Sequence, residues 1–69
     1  MTPDMLYEYL EATGFRFKSE IEEKFKDTKQ DLLHMHMKYL VEAQGVHKAK
    51  IKTPSGHETL YFIPYYPEG

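Results

Sequence analysis

Cysteine is absent from the 69-residue sequence, which excludes disulfide bonds, thiolate catalysis and cysteine-ligated zinc. No stretch approaches the roughly 18 consecutive apolar residues that a transmembrane helix requires, so we expect no membrane partner. The sequence opens with neither a basic segment nor an apolar run, which predicts no secretory signal and a cytoplasmic location. With 41% hydrophobic and 29% charged residues, the composition is typical of one small globular domain.

Charge is distributed unevenly although the net charge is only -2. Residues 1–45 carry six basic and nine acidic side chains. Residues 46–57 carry three lysines and two histidines and contain no acidic residue. Because a basic segment can attract phosphate groups locally even on an acidic body, this segment is a candidate binding region.

The N-terminal residues predict a helix followed by a short strand. Thr2 is a suitable N-cap, and Pro3 occupies a position in the first helical turn where its missing N–H costs nothing. Apolar residues then recur at helical spacing until Gly14, which can end a helix in a left-handed conformation. Residues 15–17 alternate apolar and polar side chains and therefore predict a short strand.

Two further helices are expected between Gly14 and Gly45. Ser19 and Glu22 have the spacing of a capping box, which predicts a second helix over residues 20–26. Apolar pairs that repeat every four residues predict a third helix over residues 28–44. Gly45 ends this third helix.

Beyond the third helix the hydropathy period changes from helical to alternating. Residues 46–52 and 58–63 predict the two strands of a hairpin, joined by a turn that contains proline and glycine. The three lysines lie at alternate positions of the first strand and so share one side of it. In the expected register, Lys52 lies opposite Glu58.

This order of helix, short strand, helix, helix, strand, basic turn and strand resembles the winged helix-turn-helix superfamily over residues 3–63. We therefore expect an α+β fold with three helices, a short strand after the first helix and a C-terminal β-hairpin wing. The domain would comprise residues 1–63, followed by an aromatic tail over residues 64–69. Most members of the superfamily bind duplex DNA through the third helix and the wing, and a substantial minority use the same surfaces for protein contacts.

The resemblance implies a small DNA-binding protein, a transcriptional regulator, with duplex DNA as its partner. The early part and the exposed face of the third helix would meet the major groove, and the wing lysines would contact phosphates. The exposed helix face also carries acidic residues, which repel phosphate, and lysines on a hairpin can equally protect a strand edge from aggregation. The candidate DNA-binding residues are Thr28, Lys29, Gln30, His34, Lys38, Lys48, Lys50 and Lys52.

The alternative is a protein-interaction module that docks on a larger nucleic-acid-processing complex. Its contacts would come from the third helix, including Met35, and from Tyr65 and Tyr66 in the aromatic tail. A homodimer is also expected, because it would stabilise a small core and double the basic surface, so that two half-sites could be read.

Catalytic and metal sites are not predicted. His34 and His36 lie about 200° apart around a helix, and His47 and His57 lie near opposite ends of the hairpin, so neither pair can share a metal ion. The only two serines are explained by a cap and a turn, and no glycine-rich phosphate loop occurs. We therefore predict a protein that is not an enzyme and that has no metal or cofactor.

Overall fold

Three helices and three strands follow one another in a computed structural model that describes residues 2–64. They are α1 (Pro3–Glu11), β1 (Phe15–Phe17), α2 (Lys18–Lys24), α3 (Gln30–Ala43), β2 (His47–Thr53) and β3 (Gly56–Phe62). The strands form one antiparallel sheet with the spatial order β1-β3-β2. This confirms a mixed α+β fold, whose arrangement is compatible with a winged-helix-like one. Tyr65 and Tyr66 lie outside the described residues.

Helix α1 has the start and the exit that the sequence predicts. Thr2 is the N-cap, and its side-chain oxygen accepts a hydrogen bond from the backbone amide of Met5 at 3.4 Å. After the last turn Gly14 adopts a left-handed conformation with φ of +85°, and its amide donates to the carbonyl oxygen of Leu10 at 2.7 Å. The chain can therefore turn directly from the helix into β1.

Helix α2 begins two residues earlier than the capping-box prediction, at Lys18 instead of Glu20. Phe17 is the N-cap, and its backbone amide donates to Glu20 Oε1 at 3.0 Å. The Ser19 hydroxyl is therefore not used as a cap, and it donates instead to the carboxylate of Glu58 on β3. The predicted capping box is wrong because β1 leads straight into the helix, without an intervening loop.

Helix α3 begins two residues later than predicted. Thr28 lies in the turn that precedes the helix, where its amide donates to the carbonyl oxygen of Phe25 at 2.9 Å. Lys29 is the N-cap and forms no side-chain capping bond, so Gln30 is the first helical residue. The helix starts later than predicted because the turn after α2 extends to Thr28.

The core is built from the helices and from the residue just before β2. Its seven buried residues are Leu6, Leu10, Ile21, Leu33, Met37, Leu40 and Val46. Val46 is held there by the exit of α3, because its amide donates to the carbonyl oxygen of Leu40 at 3.1 Å across Gly45, whose φ is +74°. The sheet contributes Tyr61, and Ile63 just beyond β3, as partly buried residues packed against this core.

The hairpin register differs by one residue from the expected one. Lys52 pairs with His57, and Ile51, instead of Lys52, lies opposite Glu58. The loop contains only two residues, and Thr53 pairs with Gly56 across it. The Thr53 hydroxyl donates to the Gly56 carbonyl oxygen at 3.2 Å, and Gly56 has a φ of +132°, which only glycine adopts without strain. This tight closure leaves no room for the longer turn that the sequence suggested.

The register also decides which side of the sheet faces the helices. Lys48 pairs with Tyr61, and Tyr61 also pairs with Arg16 on β1. Residues that pair directly share a face of a sheet, and alternate residues along a strand share it too. Because Tyr61 packs against the core, Lys48 and the two lysines that alternate with it lie on the helix side of the sheet.

Two adjacent leucines of α3 provide a test of the core. Replacing Leu33, which is 1% exposed, with alanine should lower the free energy of unfolding by about 2–5 kcal/mol, because the change removes buried methyl groups and leaves a cavity. Replacing Leu32, which is 40% exposed, should lower it by less than about 1 kcal/mol. Urea denaturation followed by circular dichroism measures both values. Equal effects of L33A and L32A would contradict this assignment of the core.

Candidate nucleic-acid interface

An open cleft lies between α3 and the hairpin, and lysines from three elements line it. We call it the basic cleft and define it by Lys18 of α2, Lys38 of α3, and Lys48 and Lys50 of β2. It consists of two adjoining hollows that share Lys18, Lys48 and Tyr61. Since residues far apart in the sequence contribute to it, the basic cleft is produced by the tertiary fold and not by the wing alone.

The ammonium groups of the basic cleft are mostly free of carboxylate partners. Within residues 2–64, Lys18, Lys48 and Lys50 form no salt bridge. Lys38 lies 3.8 Å from the carboxylate of Glu42, but both side chains are largely exposed, so this contact contributes little. Like charges that are held together without counter-charges raise the local potential and favour a polyanionic ligand.

Arg16 lies on the same side of the sheet, and its guanidinium contacts other parts of the fold. The Arg16 guanidinium lies 3.9 Å from the ring centroid of Tyr9, and its Nε donates to the Tyr9 carbonyl oxygen at 3.3 Å. Its terminal nitrogen lies 3.6 Å from Glu20. Arg16 therefore ties β1 to α1 and α2.

A histidine and a carboxylate stand at the edge of the basic cleft. His34 Nε2 lies 3.4 Å from Glu22 Oε2, a contact that links α3 to α2. The same carboxylate acts on Tyr61, because burial first and the negative charge of Glu22 second raise the pKa of the Tyr61 hydroxyl above 10.0. Tyr61 is therefore a neutral hydroxyl at ordinary pH and can donate a hydrogen bond to an anionic oxygen.

The sequence-predicted residues separate into two groups in space. His34, Lys38, Lys48 and Lys50 line the basic cleft, and Lys52 lies on the same face of β2 nearer the loop. The second group, residues 28–30, lies at the start of α3. Neither hollow is lined by residues 28–30, although Gln30 precedes His34 by only four residues, or about 6 Å along the helix axis. Residues 28–30 are therefore close to the basic cleft but do not line it.

Two residues of the basic cleft escaped the sequence analysis. Lys18 is the first residue of α2, and only the pairing of β1 with β3 brings it beside the hairpin. Tyr61 had been expected on the opposite side of the hairpin from the lysines, and the one-residue shift in register moved it beside Lys48. The sequence did predict the strand over residues 15–17 that directly precedes Lys18. It did not show that this strand pairs with β3, which is the pairing that places Lys18 in the basic cleft.

A second exposed feature of α3 is apolar. Leu32, Met35 and Tyr39 are 40%, 65% and 46% exposed and follow one another at helical spacing. We call these three residues the α3 stripe. Around the helix axis Met35 lies about 60° from Lys38 and about 20° from Glu42, both of which line the basic cleft. Met35, the predicted interface residue, is thus part of a larger apolar surface that borders the basic cleft.

Neither metal ligation nor membrane insertion is indicated by the described part of the chain. Residues 2–64 contain no cluster of three or more histidine, aspartate or glutamate side chains that could hold a metal ion. Within the same range, no helix has the length and apolar character needed to cross a bilayer. The chain matches no protein-family model, and neither the curated proteins nor the solved structures contain a significantly similar one.

The environment of Tyr61 predicts a pH effect. The pKa is raised in the folded state, so the stabilising contribution is complete below the ordinary tyrosine pKa of 10.0 and is lost as the pH rises through the folded-state value. The ring carbon resonances of Tyr61 should therefore titrate at higher pH than those of an unfolded peptide. In the variant Glu22→Gln the pKa should fall part of the way towards 10.0, since burial remains. An unchanged titration in E22Q would contradict the role of the carboxylate.

Proposed function

We propose that the chain is a small DNA-binding protein of winged-helix architecture that acts in transcriptional regulation. In this proposal α3 approaches the major groove of duplex DNA and the hairpin serves as the wing. The observation that carries it is the basic cleft, where lysines from α2, α3 and β2 lie together on the side of the sheet that faces α3. Clustered ammonium groups beside a helix suit a duplex, because its phosphates border the groove that a helix enters.

The charges of the basic cleft favour contacts with phosphates over reading of bases. Lys48, Lys50 and Lys18 have no salt-bridge partner within residues 2–64, so each can replace a counterion on the duplex. In contrast, α3 exposes the carboxylates of Asp31 and Glu42, which repel phosphates and can accept only from a cytosine amino group. Base reading would then rest on residues 28–30 at the start of the helix.

A salt titration tests the DNA-binding proposal. The logarithm of the affinity for a duplex should fall linearly with the logarithm of salt concentration, with a slope of roughly -0.9 for each phosphate contacted. In the variant K48A/K50A the slope should become shallower by about 1.8, which corresponds to two lost phosphate contacts. Fluorescence anisotropy with a labelled duplex measures both quantities.

Lys24 at the end of α2 and Lys26 in the turn after it give a control with the same change in charge. Lys26 lies 3.7 Å from Glu23, Lys24 lies 5.7 Å from the ring centroid of Tyr9, and neither lines the basic cleft. The variant K24A/K26A should change the slope by less than about 0.5, since only the general attraction between chain and duplex is altered. Equal effects of the two double variants, or no binding at low salt, would contradict the proposal.

The α3 stripe favours a second candidate, a protein-interaction module. Its three apolar residues form an exposed surface on a helix, and large apolar residues on exposed helix faces are common anchors in protein interfaces. Such residues would make few contacts in the major groove, because only thymine methyl groups offer an apolar contact there. A partner with a hydrophobic groove would bury Met35 and Tyr39 together.

Substitution within the α3 stripe separates the two candidates. The variant M35K/Y39K adds two positive charges to α3, so duplex affinity should rise or stay unchanged if DNA is the ligand. If the stripe binds a protein, the same variant should lose a partner that the unaltered chain retains in affinity capture from its host. A loss of duplex binding in a folded M35K/Y39K variant would instead place the α3 stripe within the DNA interface.

A further inference from the structure

The sheet has an apolar face on the side away from the helices. Phe15 pairs with Phe62, and Phe17 pairs with Leu60. The register of β2 with β3 adds two more apolar residues to this side. We call it the outer face, and its six apolar residues are Phe15, Phe17, Ala49, Ile51, Leu60 and Phe62.

The outer face is not part of the core. None of its six apolar residues belongs to the buried cluster or to the partly buried residues packed against that cluster within the described residues. Phe15 is 49% exposed, although a phenylalanine in a strand usually lies against a second layer. An apolar sheet face requires a layer packed against it, and the helices lie against the other, lysine-bearing face.

The polar residues at the ends of the outer face favour a second copy of the chain as the missing layer. All three hairpin lysines lie on the other side of the sheet, so two outer faces can approach without repulsion between lysines. His47 lies on the outer face at one end, with its ring 5.6 Å from that of Phe62. Glu58 lies towards the other end, where one of its carboxylate oxygens accepts a hydrogen bond from Ser19 of α2. A two-fold axis perpendicular to the strands would bring His47 of each copy towards Glu58 of the other.

We propose that the outer face is the interface of a homodimer, in which two sheets pack face to face with their strands running in opposite directions. The apolar residues of each copy supply the layer that the other lacks, and two symmetry-related His47–Glu58 contacts set the direction. A strongly acidic or basic ligand does not fit this face, because its ionisable residues are one histidine and one glutamate. The proposal does not depend on DNA binding.

The size of the outer face determines how tightly the copies associate. Two strands of seven residues and one of three, spaced by about 4.8 Å and advancing about 3.3 Å per residue, cover roughly 270 Å² per copy. A stable interface usually buries about 800 Å² per partner. The dimer should therefore be weak and should form as the protein concentration rises.

Sedimentation equilibrium measures this association directly. The unaltered chain should change from monomer to dimer between about 10 µM and about 1 mM, the range in which a small interface associates. The variant Leu60→Lys places a charge at the centre of the outer face and should raise the dissociation constant at least tenfold. The matched control Tyr39→Lys places the same charge on the α3 stripe and should leave the constant unchanged.

A charge reversal keeps the test decisive even if L60K does not fold. The variant H47E should weaken the dimer, because carboxylates then approach each other at both ends. The double variant H47E/E58K should restore association, since opposite charges again meet across the two-fold axis. A chain that remains monomeric at the highest concentration would overturn the proposal. The same monomeric result is expected if residues 64–69 cover the outer face. Loss of the dimer in Y39K, or failure of E58K to rescue H47E in a folded protein, would overturn it too.

Discussion

The two-residue closure of the β2–β3 hairpin is the constraint on which the rest of the structure depends. Thr53 and Gly56 pair across it, and every later pair follows from this one. Had the loop been one residue longer, Tyr61 would lie opposite Ala49, on the other side from the lysines. Since Tyr61 packs against the core, the lysines would then have pointed away from the helices, and no basic cleft would have formed. A single residue of register therefore decides the electrostatics of the domain.

The sequence predicted what local chemistry determines and missed what depends on tertiary pairing. The Thr2 cap, the left-handed glycines and the apolar stripe containing Leu33 act within a few residues, so their signals were readable. The starts of α2 and α3 were misplaced because capping depends on how the neighbouring chain enters the helix. Lys18 was missed because its place beside the hairpin comes from the pairing of β1 with β3, which joins residues more than 40 positions apart.

The lysines of the basic cleft lower the stability of the fold and favour an anionic ligand. Bringing Lys18, Lys48 and Lys50 together without carboxylate partners raises their mutual repulsion, and the small core has little stability to offset it. The chain has acids close at hand, since Glu22 and Glu42 stand at the edge, but they lie beside His34 and Lys38. A local arrangement that costs stability without a structural benefit is typical of a binding surface. This argument supports an anionic ligand even though the net charge of the chain is negative.

The two faces of the sheet make the geometry of any dimer informative about function. Lysines occupy one face and apolar residues the other, so copies joined through the outer face would direct their basic clefts away from each other. Sheets packed face to face lie about 10 Å apart, which is less than the thickness of a duplex. Such a dimer could not place both α3 helices in successive turns of one groove, as readers of paired half-sites do. If the chain binds DNA as proposed, such a dimer would instead hold two separate duplex segments. The apolar residues of the outer face would then favour bridging of two duplexes over the reading of paired half-sites.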